Sequence, residues 1–307
     1  MANPGNRLRR LAAACAAVVV ALAAPTPAAA APQPVSPQPA ERGRSAIYGG
    51  GPFYSDGQAV MDTLRSSGFT TVILWAIHVH DNGDLYYNDH RIVADGRYIG
   101  DAGWPNRLRT LKQAPTSVDR IEVSVGSAGP NDWAVIRKLI AAGGTGEKSI
   151  LYRNFAALKS ATGADALNND DEAEYHLDST VAFARMGEKL GYRFTFVPYT
   201  NRGFWRSLKS NLGGLVDRVY LQNYAGGQGN DPAAWGRDLG LPVDPGLWSR
   251  HGSGCREGDS PDRVRSRMKS WQQSAGIVGG FMWLYDDMKA CAREGSPAAY
   301  AEAINGI

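Results

Sequence analysis

The sequence predicts a single-domain α/β fold, a (β/α)8 TIM barrel, on three observations. From Ser45 onward, short segments rich in Val, Ile, Tyr and Phe alternate with amphipathic stretches. Eight such segments fit into about 260 residues, the usual size of this barrel. No G-x-G-x-x-G turn follows the first segment, where Gly49-Gly50-Gly51 runs into Pro52, and this weighs against a doubly wound nucleotide-binding sheet.

The N-terminus reads as an export signal rather than as part of the fold. Arg7, Arg9 and Arg10 form a positive region, Leu11 to Ala24 an apolar one, and Ala28-Ala29-Ala30 a small-residue cleavage site. Residues 1–30 are therefore expected to be a signal peptide. The apolar run is too short for a membrane anchor. Cys15 raises a lipoprotein alternative, but Leu11 lies one place too far upstream, and Arg9-Arg10 leaves twin-arginine export open. Residues 31–44, with four prolines, read as a linker. The barrel domain is assigned to 45–307. The full chain carries a formal charge of +3. Residues 1–30 hold three Arg and no acid, so the mature chain is neutral. It has no basic stripe, and nucleic acid is excluded as a partner on electrostatic grounds. No apolar run after residue 31 can span a bilayer. The expectation is a secreted monomer, free of the membrane once the signal is removed.

The strands are expected at Ala46–Gly50, Thr71–Ile77, Arg120–Gly126, Ala164–Asp170, Phe194–Tyr199, Arg218–Tyr224, Leu241–Leu247 and Gly280–Tyr285, bounded by Gly, Asn or Asp. Helices fit between them. Asp56–Ser67 carries Val60, Met61 and Leu64. Asn131–Ala142 starts on capping residues and stops at Gly143-Gly144. Tyr175–Leu190 stops at Gly191, and Asp262–Ala275 at Gly276.

In such a barrel the chemistry sits where strands end. The fourth strand ends in Asp165-Ala-Leu-Asn-Asn-Asp-Asp-Glu172, a polar run that is costly on a core strand unless its groups are used. Strand alternation puts Asn168, Asp170 and Glu172 on one face. Other strand ends offer Tyr48, Tyr199, Gln222, Asn223, Tyr224, Trp283 and Tyr285. Acids, amides and aromatics at one rim are the makings of a sugar site. Asp170 and Glu172 at close range cannot both ionise freely, so one titrates high and can serve as a general acid. The competing reading is that Asp170–Glu172 merely caps the following helix.

These residues resemble glycoside hydrolase family 18, the chitinases and endo-β-N-acetylglucosaminidases. The family's strand-4 signature, D-G-x-D-x-D-x-E, aligns with Asp165–Glu172. Arg120–Gly126 is similar to its strand 3, Val219–Tyr224 to its strand 6, and Gly280–Trp283 to its strand 8. The resemblance implies a retaining, substrate-assisted glycosidase without cofactor, acting on carbohydrate that contains N-acetylglucosamine. It casts Glu172 as proton donor and Asp170 as orienter of the acetamido nitrogen. Tyr224 would bond the acetamido oxygen, and Trp283 would floor the sugar pocket. Three positions depart from the pattern: Ala166 for Gly, Ser127 for the second strand-3 Gly, and Asn168 for Asp. Asn168 is expected to donate a hydrogen bond to Asp170.

Cys255 and Cys291 remain after cleavage, and an even pair in an oxidising compartment suggests one disulfide beside the rim. His78, His80 and His251 are read as rim groups rather than metal ligands. Two other functions stay open. One is a carbohydrate-binding barrel without turnover, kept alive by Asn168. The other is a glycosidase for sugars lacking the acetamido group, with Asp286 or Asp287 as second carboxylate.

Overall fold

The computed structural model describes residues 43–307. The signal-peptide segment, Cys15 and the linker up to residue 42 lie outside the described residues. In chain order the strands are β1 (Arg44–Gly49), β2 (Thr71–Val79), β3 (Leu85–Tyr87), β4 (His90–Ala94), β5 (Arg97–Tyr98), β6 (Arg120–Val125), β7 (Ala166–Asn169), β8 (Arg193–Phe196), β9 (Val216–Gln222), β10 (Asp244–Trp248) and β11 (Gly279–Trp283). Eight of them, β1, β2 and β6–β11, pair in parallel, and β1 closes the ring by pairing with both β2 and β11. Helices run between successive barrel strands, so the molecule is a closed (β/α)8 barrel.

The eight expected strands are the eight of the barrel, with ends displaced by at most three residues. β1 opens at Arg44, inside the span assigned to the linker, because the Arg44 guanidinium is tied to Asp244 at 2.8 Å. The strands β3, β4 and β5 were not anticipated. They extend β2 antiparallel beyond the barrel. Their local signal is Asp95-Gly96, which turns between β4 and β5 with φ of 48° and 75°. Such a pair favours a two-residue hairpin.

The barrel interior has an aromatic half and a polar half. Tyr48, Tyr220 and Phe281 fill the first from β1, β9 and β11. Phe281 fits because β10 carries Gly246 beside it, where a Cβ would lie 2.0 Å from the ring. Glu122 of β6 occupies the second, fully buried. Its carboxylate accepts from Arg120 Nε (2.6 Å), Tyr220 Oη (2.9 Å), Thr195 Oγ1 (2.7 Å) and Asn168 Nδ2 (3.2 Å). Arg120 is held in turn by Asp217 at 2.8 and 3.0 Å. A buried carboxylate is tolerable only when paired and saturated with donors, and this one is both.

Asn168 belongs to this network. Its Nδ2 also reaches Thr195 Oγ1 (3.0 Å), and its Oδ1 accepts from Tyr48 Oη (3.0 Å). The expected bond from Asn168 to Asp170 is absent, because Glu122 and Thr195 use both amide hydrogens. An Asp at position 168 would set a second carboxylate against Glu122.

The disulfide is present. Cys255, in the turn after β10, joins Cys291, just past the helix Tyr285–Ala290 that follows β11, with Cα atoms 5.7 Å apart. Among the described residues no helix is long and apolar enough to cross a membrane.

Two stability measurements test this account. The disulfide closes a loop of 36 residues. Replacing both cysteines by alanine is expected to lower unfolding free energy by about 3–4 kcal/mol, read as a shift of the denaturation midpoint at constant slope. Asn168→Asp is expected to cost about 3 kcal/mol through charge repulsion at Glu122. Glu122→Gln in the same chain should return part of that loss, with a coupling of about 1–3 kcal/mol. Strict additivity of the two changes would refute the pairing.

Candidate active site at the C-terminal rim of the barrel

The polar run leaves the strand at Asn169, and the three acids that follow divide the work. Asp170 is held at the rim by its N–H to the Val125 carbonyl (3.1 Å). Gly126 of the neighbouring turn makes this approach possible. Its φ is +94°, and a Cβ there would lie 2.7 Å from the Asp170 carbonyl oxygen. Asp171 turns away and accepts the backbone N–H groups of Ala173 (3.1 Å), Glu174 (2.8 Å) and Tyr175 (2.8 Å). His176 caps the helix Leu177–Lys189. The capping role foreseen for Asp170–Glu172 thus falls to Asp171 and His176, and Asp170 and Glu172 are left to face open space.

That space is a cavity of about 320 Å³ lined by Asp170, Glu172, Gln222, Tyr224, Trp248 and Trp283, with Trp75, Ser127, Ala128 and Ala225 completing it. Trp283 sits edge-on to Trp75 (4.6 Å between ring centroids, 77°) and near-parallel to Tyr224 (5.9 Å, 24°). Gln222 joins the two acids. Its Nε2 lies 3.2 Å from Glu172 Oε1, 3.4 Å from Asp170 Oδ1 and 3.3 Å from the Val197 carbonyl. One NH2 group with two hydrogens therefore serves three acceptors.

The electrostatics follow from this crowding. Burial pushes the Asp170 carboxyl well above the usual range, and the Glu172 charge raises it further. The buried Trp75 indole N–H faces Asp170, short of a full hydrogen bond, and partly offsets the rise. Glu172 is raised chiefly by burial, with Asp171 adding and the Gln222 amide opposing. Burial, then Asp170 and Glu172, keep the Tyr224 hydroxyl protonated and so a donor. The cavity thus holds one carboxyl able to give a proton, a second beside it, a phenol donor and flat apolar walls.

Asp170, Glu172, Gln222, Tyr224 and Trp283 are brought together as expected from the sequence, while five other expected residues lie elsewhere. Asn168 and Tyr48 sit one layer below, fully buried, with Tyr48 covered by Trp283 (5.4 Å). Asn223 alternates with Tyr224 and faces the other way, its Nδ2 bonded to the Asn230 carbonyl (2.8 Å). Tyr199 stands on the loop after β8, where its carbonyl accepts from Asn230 (2.9 Å). Tyr285 packs on Phe53 (5.1 Å). The alternative second carboxylates are also engaged. Asp286 accepts the Gly50 N–H (2.8 Å), and Asp287 accepts from Trp248 Nε1 (2.8 Å). Of the histidines, His78 pairs with Asp132 (3.0 Å), His80 stacks on Tyr86 (3.9 Å) and His251 on Trp248 (4.0 Å).

The sequence reading missed Trp75, whose signal is a Trp near the end of an apolar strand. It also missed Glu122, the one acid inside Arg-Ile-Glu-Val-Ser-Val.

Gln222→Leu removes a donor from both acids, so both carboxyls are expected to titrate at higher pH, as followed by carboxyl carbon NMR. The sign for stability follows. Each acid titrates higher in the folded than in the unfolded chain, so folding is unpenalised at low pH. It weakens as pH rises from the unfolded value, about 4, through the raised folded values. The variant should show a longer decline.

No family model matches the chain, and no curated protein matches it. Solved structures do. The catalytic domain of a family GH18 chitinase from the fern Peteris ryukyuensis superposes with a TM-score of 0.58 at 14% identity, covering 84% of this chain and 98% of that one. A chitinase from Bacteroides thetaiotaomicron gives 0.58 at 11%, covering 86% and 97%. The class V chitinase from Nicotiana tobaccum gives 0.54 at 11%, covering 86% and 99%. At such identities the likeness concerns architecture: this chain has the (β/α)8 barrel fold of those chitinases.

Proposed function

We propose that this protein is a divergent member of glycoside hydrolase family 18. On this reading it is a secreted enzyme that cleaves β-linked N-acetylglucosamine in a polysaccharide or glycan. One observation carries it: Asp170 and Glu172, both titrating high, share the Gln222 amide at the mouth of an aromatic-walled cavity.

The route is retaining and substrate-assisted. Glu172, protonated, gives its proton to the glycosidic oxygen as that bond breaks. The substrate's own acetamido oxygen attacks the anomeric carbon from the opposite face. Asp170 accepts the acetamido N–H at a carboxyl oxygen and so orients the acetamido group for attack. Tyr224 donates to the acetamido oxygen, and Trp283 lies under the sugar. Water then attacks the anomeric carbon, Glu172 takes its proton, and the configuration is restored.

The reading as a binding protein without turnover leaned on Asn168. That residue has a structural duty toward Glu122, so its departure from the family pattern no longer argues against catalysis. A classical two-carboxylate mechanism loses support because Asp286 and Asp287 are occupied elsewhere.

Purified mature protein is expected to release oligosaccharides from chitin, peptidoglycan or N-linked glycans in a panel. Glu172→Gln should lower turnover by about 10²–10⁴-fold while substrate still binds. Wild-type turnover should decline as pH rises through the elevated Glu172 titration, because the acid form is then lost. Undiminished cleavage by Glu172→Gln would remove Glu172 from its role. Failure of a thiazoline mimic of the cyclic intermediate to inhibit would remove the substrate-assisted route.

A further inference from the structure

We propose that Trp75 is a positioning residue for this reaction: its indole N–H holds Asp170 as the acceptor of the acid pair and leaves the shared proton with Glu172. This rests on the reading of the central cavity as a glycosidase site. Two neighbouring carboxyls with one proton between them must divide their roles, and the groups around them decide which one keeps it.

The chain aims Trp75 by a bulge. β2 and β6 pair residue for residue from Thr71 opposite Arg120 to Leu74 opposite Val123, and pairing resumes at Ile77 opposite Val125. Trp75 and Ala76 thus stand against Ser124 alone, and an extra residue of this kind bends a strand and re-aims a side chain. The carbonyls at the bulge are taken by Asn88, in the turn between β3 and β4. Its Nδ2 donates to the Trp75 carbonyl (3.2 Å) and its backbone N–H to the Ala76 carbonyl (3.0 Å). The antiparallel excursion β3–β5 thereby clamps the bulge. The indole packs on the Trp283 ring (4.6 Å between centroids) and on the backbone of Gly50, where a Cβ would lie 3.4 Å from Trp75 Cε3.

The Trp75 N–H is buried without a hydrogen-bond partner and faces Asp170. A buried donor without an acceptor is costly, and a charged carboxylate is the strongest acceptor that Asp170 can present to it. Asp170 is the more buried of the two acids, so burial alone would leave the proton there, and the indole works against this. The titratable groups facing Asp170 are Glu172 and Asp171 from its own bend, Tyr48 from β1 and Tyr224 beyond β9, none of them a cation. Among the described residues no Lys, Arg or His lines the cavity. Neutral donors alone must support the carboxylate. Gln222 is shared between both acids and the Val197 carbonyl, so it does not set them apart. Tyr224 is engaged by the substrate. The indole is left to serve Asp170, and as a donor only it takes no part in the proton exchange that it biases.

The test compares the full mature chain with its Trp75→Phe variant, which keeps an aromatic ring against Trp283 and deletes the N–H. With N-acetylglucosamine oligomers, kcat is expected to fall about ten- to a hundredfold, the range for one hydrogen bond to a charged group, with KM little changed. The acid limb of the kcat profile should move to higher pH, because Asp170 without its donor protonates more readily. Carboxyl carbon NMR should show Asp170 titrating higher in the variant. Should Trp75→Phe fail to fold, indole NMR of the wild type decides: the Trp75 N–H resonance should shift as Asp170 titrates and lose that shift in Asp170→Asn. An indole indifferent to pH would overturn the inference. Wild-type turnover by Trp75→Phe with an unmoved acid limb would also overturn it, and would leave the reading of the site intact. So would a fall in turnover that moves neither the limb nor the Asp170 carboxyl, the mark of a structural role alone. If the wild type cleaves no glycan of this class, the reading of the site falls and the role of Trp75 in turnover falls with it.

Discussion

The structure depends first on keeping one acid, Glu122, supplied with donors in the middle of a barrel. Four donors from four strands converge on it: Arg120 from β6, Asn168 from β7, Thr195 from β8 and Tyr220 from β9. A buried charge of this kind is weak evidence for stability in itself. Its effect is on specificity, because only one register of four neighbouring strands brings all the donors within reach. The aromatic half of the barrel packs by volume and the polar half by pairing. Tyr48 and Tyr220 join the two halves by their rings and hydroxyls.

That constraint reaches the rim through Asn168. Its side chain is fully spoken for below, so Asp170 takes its partners from above: Gln222, Glu172 and the Trp75 indole. Asp171 consumes the backbone N–H groups of the bend. The result is a pair of acids whose surroundings favour the protonated form and whose positions are set by one amide. Catalysis by a carboxylic acid near neutral pH requires this arrangement more than it requires any single residue.

The fold was legible because its signal is periodic. Eight apolar strands bounded by turn residues survive loss of detail, and errors of a few residues at their ends do not change the ring. The site was legible only along the polar run and at strand ends with aromatic residues. Strand parity would have set Asn223 apart from Gln222 and Tyr224, whose cavity it does not line. It also gave no depth, so Tyr48 and Asn168 were assigned to the cavity though they lie a layer beneath it. Glu122 was passed over because an acid in an apolar strand is only explained by donors that are distant in sequence. Gln222 was expected as a sugar ligand, yet its bridging of two acids depends on three strands meeting at one height.

The two ends of the described chain meet at the pole of the barrel opposite the cavity. Gly43 lies against the backbone of Asn305, and Asn305 bonds the Gly68 carbonyl at 2.9 Å. β1 starts at that pole, and the acids stand at the other. For anyone handling the molecule this is a polarity. An attachment made beside Gly43 or Asn305 leaves the mouth pointing outward, and the nearness of these two residues suits a circular permutation that joins them, with new ends cut elsewhere on that quiet pole.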